Sequence, residues 1–306
     1  MFKRAYNRAV VRLRIETRTP LLIRSGDPGL EPGPDLACVR TRHAVYGQTV
    51  YIPGSSLKGV LRSSAEAAVR GQTLEGVDGA CDLFDRELGC GFRIQKEAKN
   101  ADLSTAEIHR RHCLACRTFG STAMRGRTSV RDHYPIDPDD PSGAHLERAN
   151  LTEGRHGVAI NRISGAAQRG ALYDMEVVPA GSVFFGDVAL QNYQAWQLGL
   201  LATAIDELNF GFAQLGSAKS RGLGVVEVGV QKVIHEQTRS AGKTPVGVGA
   251  CARPEEVDAY QLLPEQSLGA VEGTAHGLSL RFSLEGPAAR ELLEAGQRAL
   301  GESRAD

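Results

Sequence analysis

The chain has 306 residues, 42% hydrophobic and 24% charged, with a formal net charge of zero and a pI near 7.1, enough to bury a core without disulfide staples, as one elaborated domain or two small ones. Its charged start lacks the apolar stretch of a signal peptide, and no apolar run approaches the roughly 20 residues that span a bilayer, so a membrane partner is excluded and a soluble, cytoplasmic protein is expected. A neutral sum argues against nucleic acid, but residues 1–70 hold twelve bases against five acids, net +7, whereas residues 251–306 hold ten acids against five bases, net −5. A basic front offers a groove for phosphates that the sum conceals; chance asymmetry of an ordinary surface is the plain alternative.

In chain order, residues 8–17 (RAVVRLRIET) alternate apolar and charged side chains, the period of a half-buried strand. Residues 25–35 (SGDPGLEPGPD) form a loop. A second strand is predicted from Val45 to Ile52, ended by Pro53-Gly54, with Ser55 or Ser56 capping a helix over Leu57–Val69. Residues 71–120 read as irregular, and Thr128–Asp132 as a short strand. Residues 133–157 are polar and turn-rich, a protruding segment. Strands at Ala171–Val178 and Val183–Leu190, a helix at Trp196–Leu208 and a strand at Gly222–Val230 follow. Residues 236–252 read as a linker and 253–306 as an acidic C-terminal extension with a helix at Pro287–Leu300. This order suits an α+β sheet with helices on one face, for which a ferredoxin-like core with insertions is the expected solution.

Three groups of residues carry chemistry. Tyr51-Ile52-Pro53-Gly54-Ser55-Ser56-Leu57-Lys58-Gly59 turns a strand into a helix whose first N–H groups, two hydroxyls and a lysine converge, which suits an RNA phosphate; a plain capped helix is the alternative. The glycine-rich run Leu215–Gly224 (LGSAKSRGLG) brings Lys219, Ser220 and Arg221 onto a loop that close backbone approach favours, although many such runs are simple turns. Cys113 and Cys116 form a C-x2-C knuckle, and Cys81 and Cys90 complete a four-thiolate site for a structural zinc ion, with His109 or His112 as alternate ligands; a redox pair or unrelated buried cysteines compete with this. Cys38 and Cys251 read as ordinary residues, and His43 as a loop histidine.

The Pro-Gly-Ser-Ser-Leu-Lys-Gly string resembles the signature of the RAMP superfamily, the repeat-associated proteins of CRISPR systems. Leu215–Gly224, Cys116–Ser121 (CRTFGS), Gly126–Asp132 (GRTSVRD) and Val158–Ala167 (VAINRISGAA, with Asn161 where Asp is usual) are similar to further segments of that family in the same order. The likeness spans about residues 8–230 and is strongest to the repeated backbone subunits of type III effector complexes. It implies a ferredoxin-like core over 1–235, a zinc insertion at 71–120 and a thumb-like hairpin at 133–170. It also implies contacts to guide RNA from Ser55, Ser56, Lys58, Arg62, Lys219, Ser220 and Arg221. Expected partners are the guide RNA, a complementary target RNA, further copies or paralogues of the subunit and other type III effector subunits. In cleaving members a loop Asp supports cutting of the target, with a divalent metal such as magnesium or by proton transfer. Asp35-Leu-Ala-Cys-Val-Arg matches that pattern, which makes Asp35 the catalytic candidate and Asp27 the fallback. The same scaffold without chemistry, and a guide-processing endoribonuclease, are the other readings.

Overall fold

The computed structural model describes residues 3–26, 33–70, 79–99, 101–140, 142–263 and 267–302. The chain opens with β1 (Asn7–Thr17), the hairpin β2 (Arg40–His43) and β3 (Gly47–Val50), and α1 (Gly54–Arg70). Three short helices follow, α2 (Cys90–Ala98), α3 (Thr105–Arg110) and α4 (Leu114–Phe119), then β4 (Gly120–Ser121), β5 (Met124–Arg125) and β6 (Thr128–Val130). After α5 (Ala144–Asn150) come the hairpin β7 (Glu153–Ile160) and β8 (Ala167–Val177), then β9 (Val183–Gln191), α6 (Ala195–Asn209) and β10 (Val226–Thr238). The last part holds α7 (Val248–Cys251), α8 (Pro254–Tyr260), β11 (Thr274–His276), β12 (Ser279–Glu285) and α9 (Gly286–Glu302).

The main sheet is antiparallel with strand order β11-β12-β10-β1-β9-β6. Strands β10, β1, β9 and β6, the last at the sheet edge, follow a strand-helix-strand, strand-helix-strand path in which α1 links β1 to β6 and α6 links β9 to β10, each connection passing over a neighbouring strand. The period-2 pattern of β1 decides its two faces. Ala9, Val11, Leu13 and Ile15 are buried in one core with Leu57 and Leu61 of α1, Leu198 and Leu201 of α6 and Leu292 of α9. Arg8, Arg12 and Arg14 point to the other, partly exposed face.

The C-terminal part is not an appendage behind a linker. β10 continues to Thr238, through residues whose polar character suggested a linker, and β12 pairs along it from Lys232↔Glu285 to Thr238↔Ser279. Helix α9 then packs on α6 so closely that a Cβ placed on Gly199 meets the Gly296 carbonyl oxygen at 2.0 Å. Residues 79–120, expected to be irregular, contain α2 to α4. The projecting element is also displaced: it is the hairpin β7–β8, Glu153 to Val177, while His133 and Tyr134 are tied into the body through bridges to Ile52 and Phe185. Among the described residues no helix is long and apolar enough to cross a membrane.

Candidate nucleic-acid interface and metal centre

Helix α1 starts at Gly54, three residues before the expected start, because the chain must pass tightly under β6. A Cβ on Gly54 lies 2.3 Å from the Val130 carbonyl oxygen, so only glycine fits. Neither serine caps the helix. Asp132 Oδ1 accepts from the Gly54 N–H at 2.7 Å and supplies the negative charge that the helix N-terminus favours. Ser55 is exposed, Ser56 half-buried, and neither hydroxyl bonds to protein among the described residues. One turn on, Lys58 lines a pocket that runs across residues 125–131 onto the open face of the sheet, where Arg8, Arg125, Arg127, Arg131 and Arg281 also lie. Burial, then Arg62 and Arg125, hold the Lys58 ammonium below the ordinary lysine value. Arg8 and Arg281 share Glu236, and Arg131 pairs with Asp187 at 2.7 Å. Lys58 and Arg125 have no acidic partner among the described residues, so an incoming anion relieves their mutual repulsion. Arg125 was missed in the sequence, where a single arginine between two family-like segments carries no signal of its own.

Arg62 does not belong to this pocket. Its side chain, 15% exposed, bonds Glu66 (Nε, 2.7 Å), the Gly120 carbonyl (Nη1, 2.7 Å) and Cys116 Sγ (Nη2, 3.3 Å), which joins α1 to the cysteine-rich segment. The second expected loop forms as a tight turn: Leu215 N–H bonds the Gly224 carbonyl at 2.8 Å and Ser217 N–H the Leu22 carbonyl at 2.7 Å. Gly216 and Gly224 have positive φ, and a Cβ on either would meet a backbone oxygen, Leu22 at 2.4 Å or Leu215 at 2.0 Å. The Lys219 and Ser220 side chains are exposed without hydrogen-bond or ion-pair partners among the described residues. Arg221 donates to the Tyr173 hydroxyl of β8 and lies 5.7 Å from its ring centroid. The loop therefore touches the projecting hairpin midway along β8, whereas Lys58 and the serines are grouped at the α1 end.

Cys81, Cys90, Cys113 and Cys116 are brought together, with all four Sγ atoms within 4.8 Å of one another and none in a disulfide. The Cys81 and Cys116 sulfurs are 3.7 Å apart, near the edge of about 3.8 Å expected for a tetrahedron of 2.3 Å zinc–sulfur bonds. Backbone N–H groups of Cys81, Cys90, Cys113 and Cys116 point at neighbouring sulfurs at 3.4 to 3.5 Å, and the Arg62 guanidinium adds a cation. Hydrogen bonding from Cys113, first, and Cys116 pushes the Cys90 thiol down to about 7 and holds Cys81 low as well. Donor set and spacing suit a structural zinc ion. The alternate ligands are engaged elsewhere: His112 bonds the Ile108 carbonyl at 2.6 Å and Ser121 Oγ at 2.7 Å, and His109 packs edge-on to Tyr260.

Asp35 is exposed beside β8, where its Oδ2 accepts from the Asp174 N–H at 2.9 Å. Among the described residues it belongs to no group of three or more metal-ligating side chains, so an ion there would take its other ligands from RNA and water. Asp27 lies outside the described residues. His43 sits against Tyr46 and Tyr134 with ring centroids at 5.3 Å, as part of an aromatic cluster. The hairpin carries exposed apolar side chains, Val158, Ile160, Leu172 and, 99% exposed, Ile163.

A comparison with curated proteins returns no match. A comparison with protein families matches the RAMP superfamily over residues 14–227, a span that runs from β1 through the α1 turn, the cysteine cluster, the hairpin and the glycine-rich loop into β10. The chain belongs to the RAMP superfamily.

Proposed function

We propose that this chain is a guide-RNA-binding backbone subunit of a type III CRISPR ribonucleoprotein, built on a ferredoxin-like core, that positions complementary target RNA and supports its cleavage. The observation that carries the reading is the pocket at the α1 turn, where Lys58 and Arg125, both inside the family match, lack acidic partners among the described residues and the Ser55 side chain nearby is exposed. Such a pocket recognises phosphates, so binding is steeply salt-dependent and nearly independent of protein-read sequence; base pairing to the guide supplies the specificity. Lys219, Ser220 and Arg221 extend the contact toward the hairpin, whose exposed apolar residues suit insertion between stacked bases as a thumb. Zinc held by the four cysteines would cross-link residues 81–116 into one unit, a folding role without an open coordination position.

Cleavage follows the line of Asp35: a carboxylate at the base of the hairpin, near the point where the duplex would be distorted, aids attack of a 2′-hydroxyl on the neighbouring phosphate. The non-catalytic scaffold is a second reading, favoured by the commitment of one Asp35 oxygen to the Asp174 N–H. Incubating the assembled complex with labelled target RNA separates them. Regularly spaced cuts that disappear for Asp35→Ala, with binding retained, support the cleaving subunit. Intact RNA bound with normal affinity supports the scaffold.

A further inference from the structure

Resting on the cleavage arm of that reading, we propose that His156 is the general base of RNA cleavage, and that Asp174 and Asp35 act as positioning residues for it. His156 and Asp174 are directly opposed across β7 and β8, so their side chains share one face of the hairpin. His156 Nδ1 lies 2.6 Å from Asp174 Oδ1. A carboxylate there fixes the tautomer with the proton on Nδ1, which leaves Nε2 as the basic nitrogen. Nε2 has no protein partner among the described residues, and the side chain is 75% exposed. Two residues back on the same face, Gly154 leaves room: a Cβ there would meet nothing within 4 Å.

Asp174 is itself held. Its N–H donates to Asp35 Oδ2, its carbonyl accepts from Leu36 N–H at 3.0 Å, and Glu176 N–H donates to the Leu36 carbonyl at 2.9 Å. The Asp35 loop thus lies along β8 as a short parallel strand, and its carboxylate fixes the residue that orients the imidazole. One step further along this face Glu176 is clamped by Arg40 and by the Thr152 hydroxyl at 2.6 Å, which anchors the hairpin's base. Tyr173 and Arg221 occupy the opposite face. The charged groups around His156 on its own face are therefore Asp174 and Asp35 at the strand edge, with the Glu176–Arg40 pair beyond.

The geometry assigns a transesterification step with His156 Nε2 as the base. Nε2 takes the proton of a target 2′-hydroxyl while O2′ forms a bond to the adjacent phosphorus and the P–O5′ bond breaks. The leaving O5′ takes a proton from water, and the imidazolium returns its proton to solvent. The products are a 2′,3′-cyclic phosphate and a 5′-hydroxyl.

The test measures target cutting and binding by the assembled complex carrying single substitutions. His156→Ala and His156→Gln are expected to cut roughly 10²-fold or more slowly than wild type with unchanged target affinity, and to lose the limb of the pH–rate profile that falls as an imidazole protonates. Asp35→Asn, which keeps an acceptor oxygen for the Asp174 N–H, is expected to stay within several-fold of wild type, unlike Asp35→Ala. Wild-type cutting and an unaltered pH profile in His156→Ala overturn the inference and leave the proposed function standing. Asp35→Asn as slow as Asp35→Ala overturns the positioning role by moving the chemistry to Asp35 itself. A wild-type complex that binds target and never cuts overturns the cleavage arm and this inference with it.

Discussion

Replacing Arg62 with methionine tests how the cysteine-rich segment is joined to α1. The substitution keeps most of the aliphatic stem and deletes three hydrogen bonds, to Glu66, to the Gly120 carbonyl and to Cys116 Sγ. Gly120 is buried, so its stranded carbonyl costs about 1–3 kcal/mol. Glu66 keeps Arg70 at 3.6 Å, which limits the loss of that ion pair to about 0.5–1 kcal/mol. The expected destabilisation is therefore about 2–4 kcal/mol, and losing a cation that bonds a ligand sulfur weakens zinc about tenfold. Chemical denaturation of the zinc-loaded protein reads the first quantity, and competition with a metal chelator reads the second. Stability and zinc affinity equal to wild type would refute the reasoning. Reduced RNA affinity with both unchanged would return Arg62 to the groove where the sequence motif suggested it.

Three further predictions concern the groove, the protonation of the core and the C-terminal unit. Lys58→Ala and Arg125→Ala should each weaken guide RNA binding several-fold and lower the salt slope by roughly one unit, read by titration at a series of salt concentrations. Burial pushes the imidazole of His109 down to about 2 and those of His133 and His235 to about 4. Below an unfolded value of about 6.5 these histidines bind more protons in the unfolded chain than in the folded one, so their contribution to stability is constant above pH 7 and falls as pH drops. At pH 5 the loss should be about 2 kcal/mol per histidine, or about 6 kcal/mol in all, and unfolding titrations with no slope between pH 7 and 5 would contradict it. Gly199→Ala must push α9 off α6 and should cost about 1–3 kcal/mol while opening residues 286–302 to protease; an unaltered digestion pattern would mean the two helices are not packed as described.

Elements whose patterning is local were legible. β1 alternates apolar and basic residues, and α6 and α9 fall within one to two residues of their expected ranges. What was hidden is held by distant partners. The end of β10 reads as a polar surface because His235, Glu236 and Gln237 are buried there. They are satisfied by Tyr193, by Arg8 and Arg281, and by the Gly242 and Thr244 carbonyls respectively. Hydropathy alone cannot signal such polar burial. The protein bonds of Arg62 were hidden for the same reason, since a basic residue in a phosphate-like motif gives no hint of a carbonyl 58 residues away. The four cysteines were identifiable because thiolate spacing is a local signature, and the choice against His109 and His112 needed the hydrogen bonds of the folded state. The turn at Gly54 was found, but its cap came from Asp132, 78 residues downstream.

The central claim is that guide RNA lies across the α1 turn and the 125–131 segment. Photo-crosslinking of a guide containing 4-thiouridine to the assembled complex, followed by mass spectrometry of the linked peptides, tests it most directly. The account predicts crosslinks concentrated in peptides spanning residues 54–59, 125–131 and 217–222, abolished at high salt and reduced by Lys58→Ala. Crosslinks confined to the α9 surface or to α8, with none at the α1 turn, would contradict it.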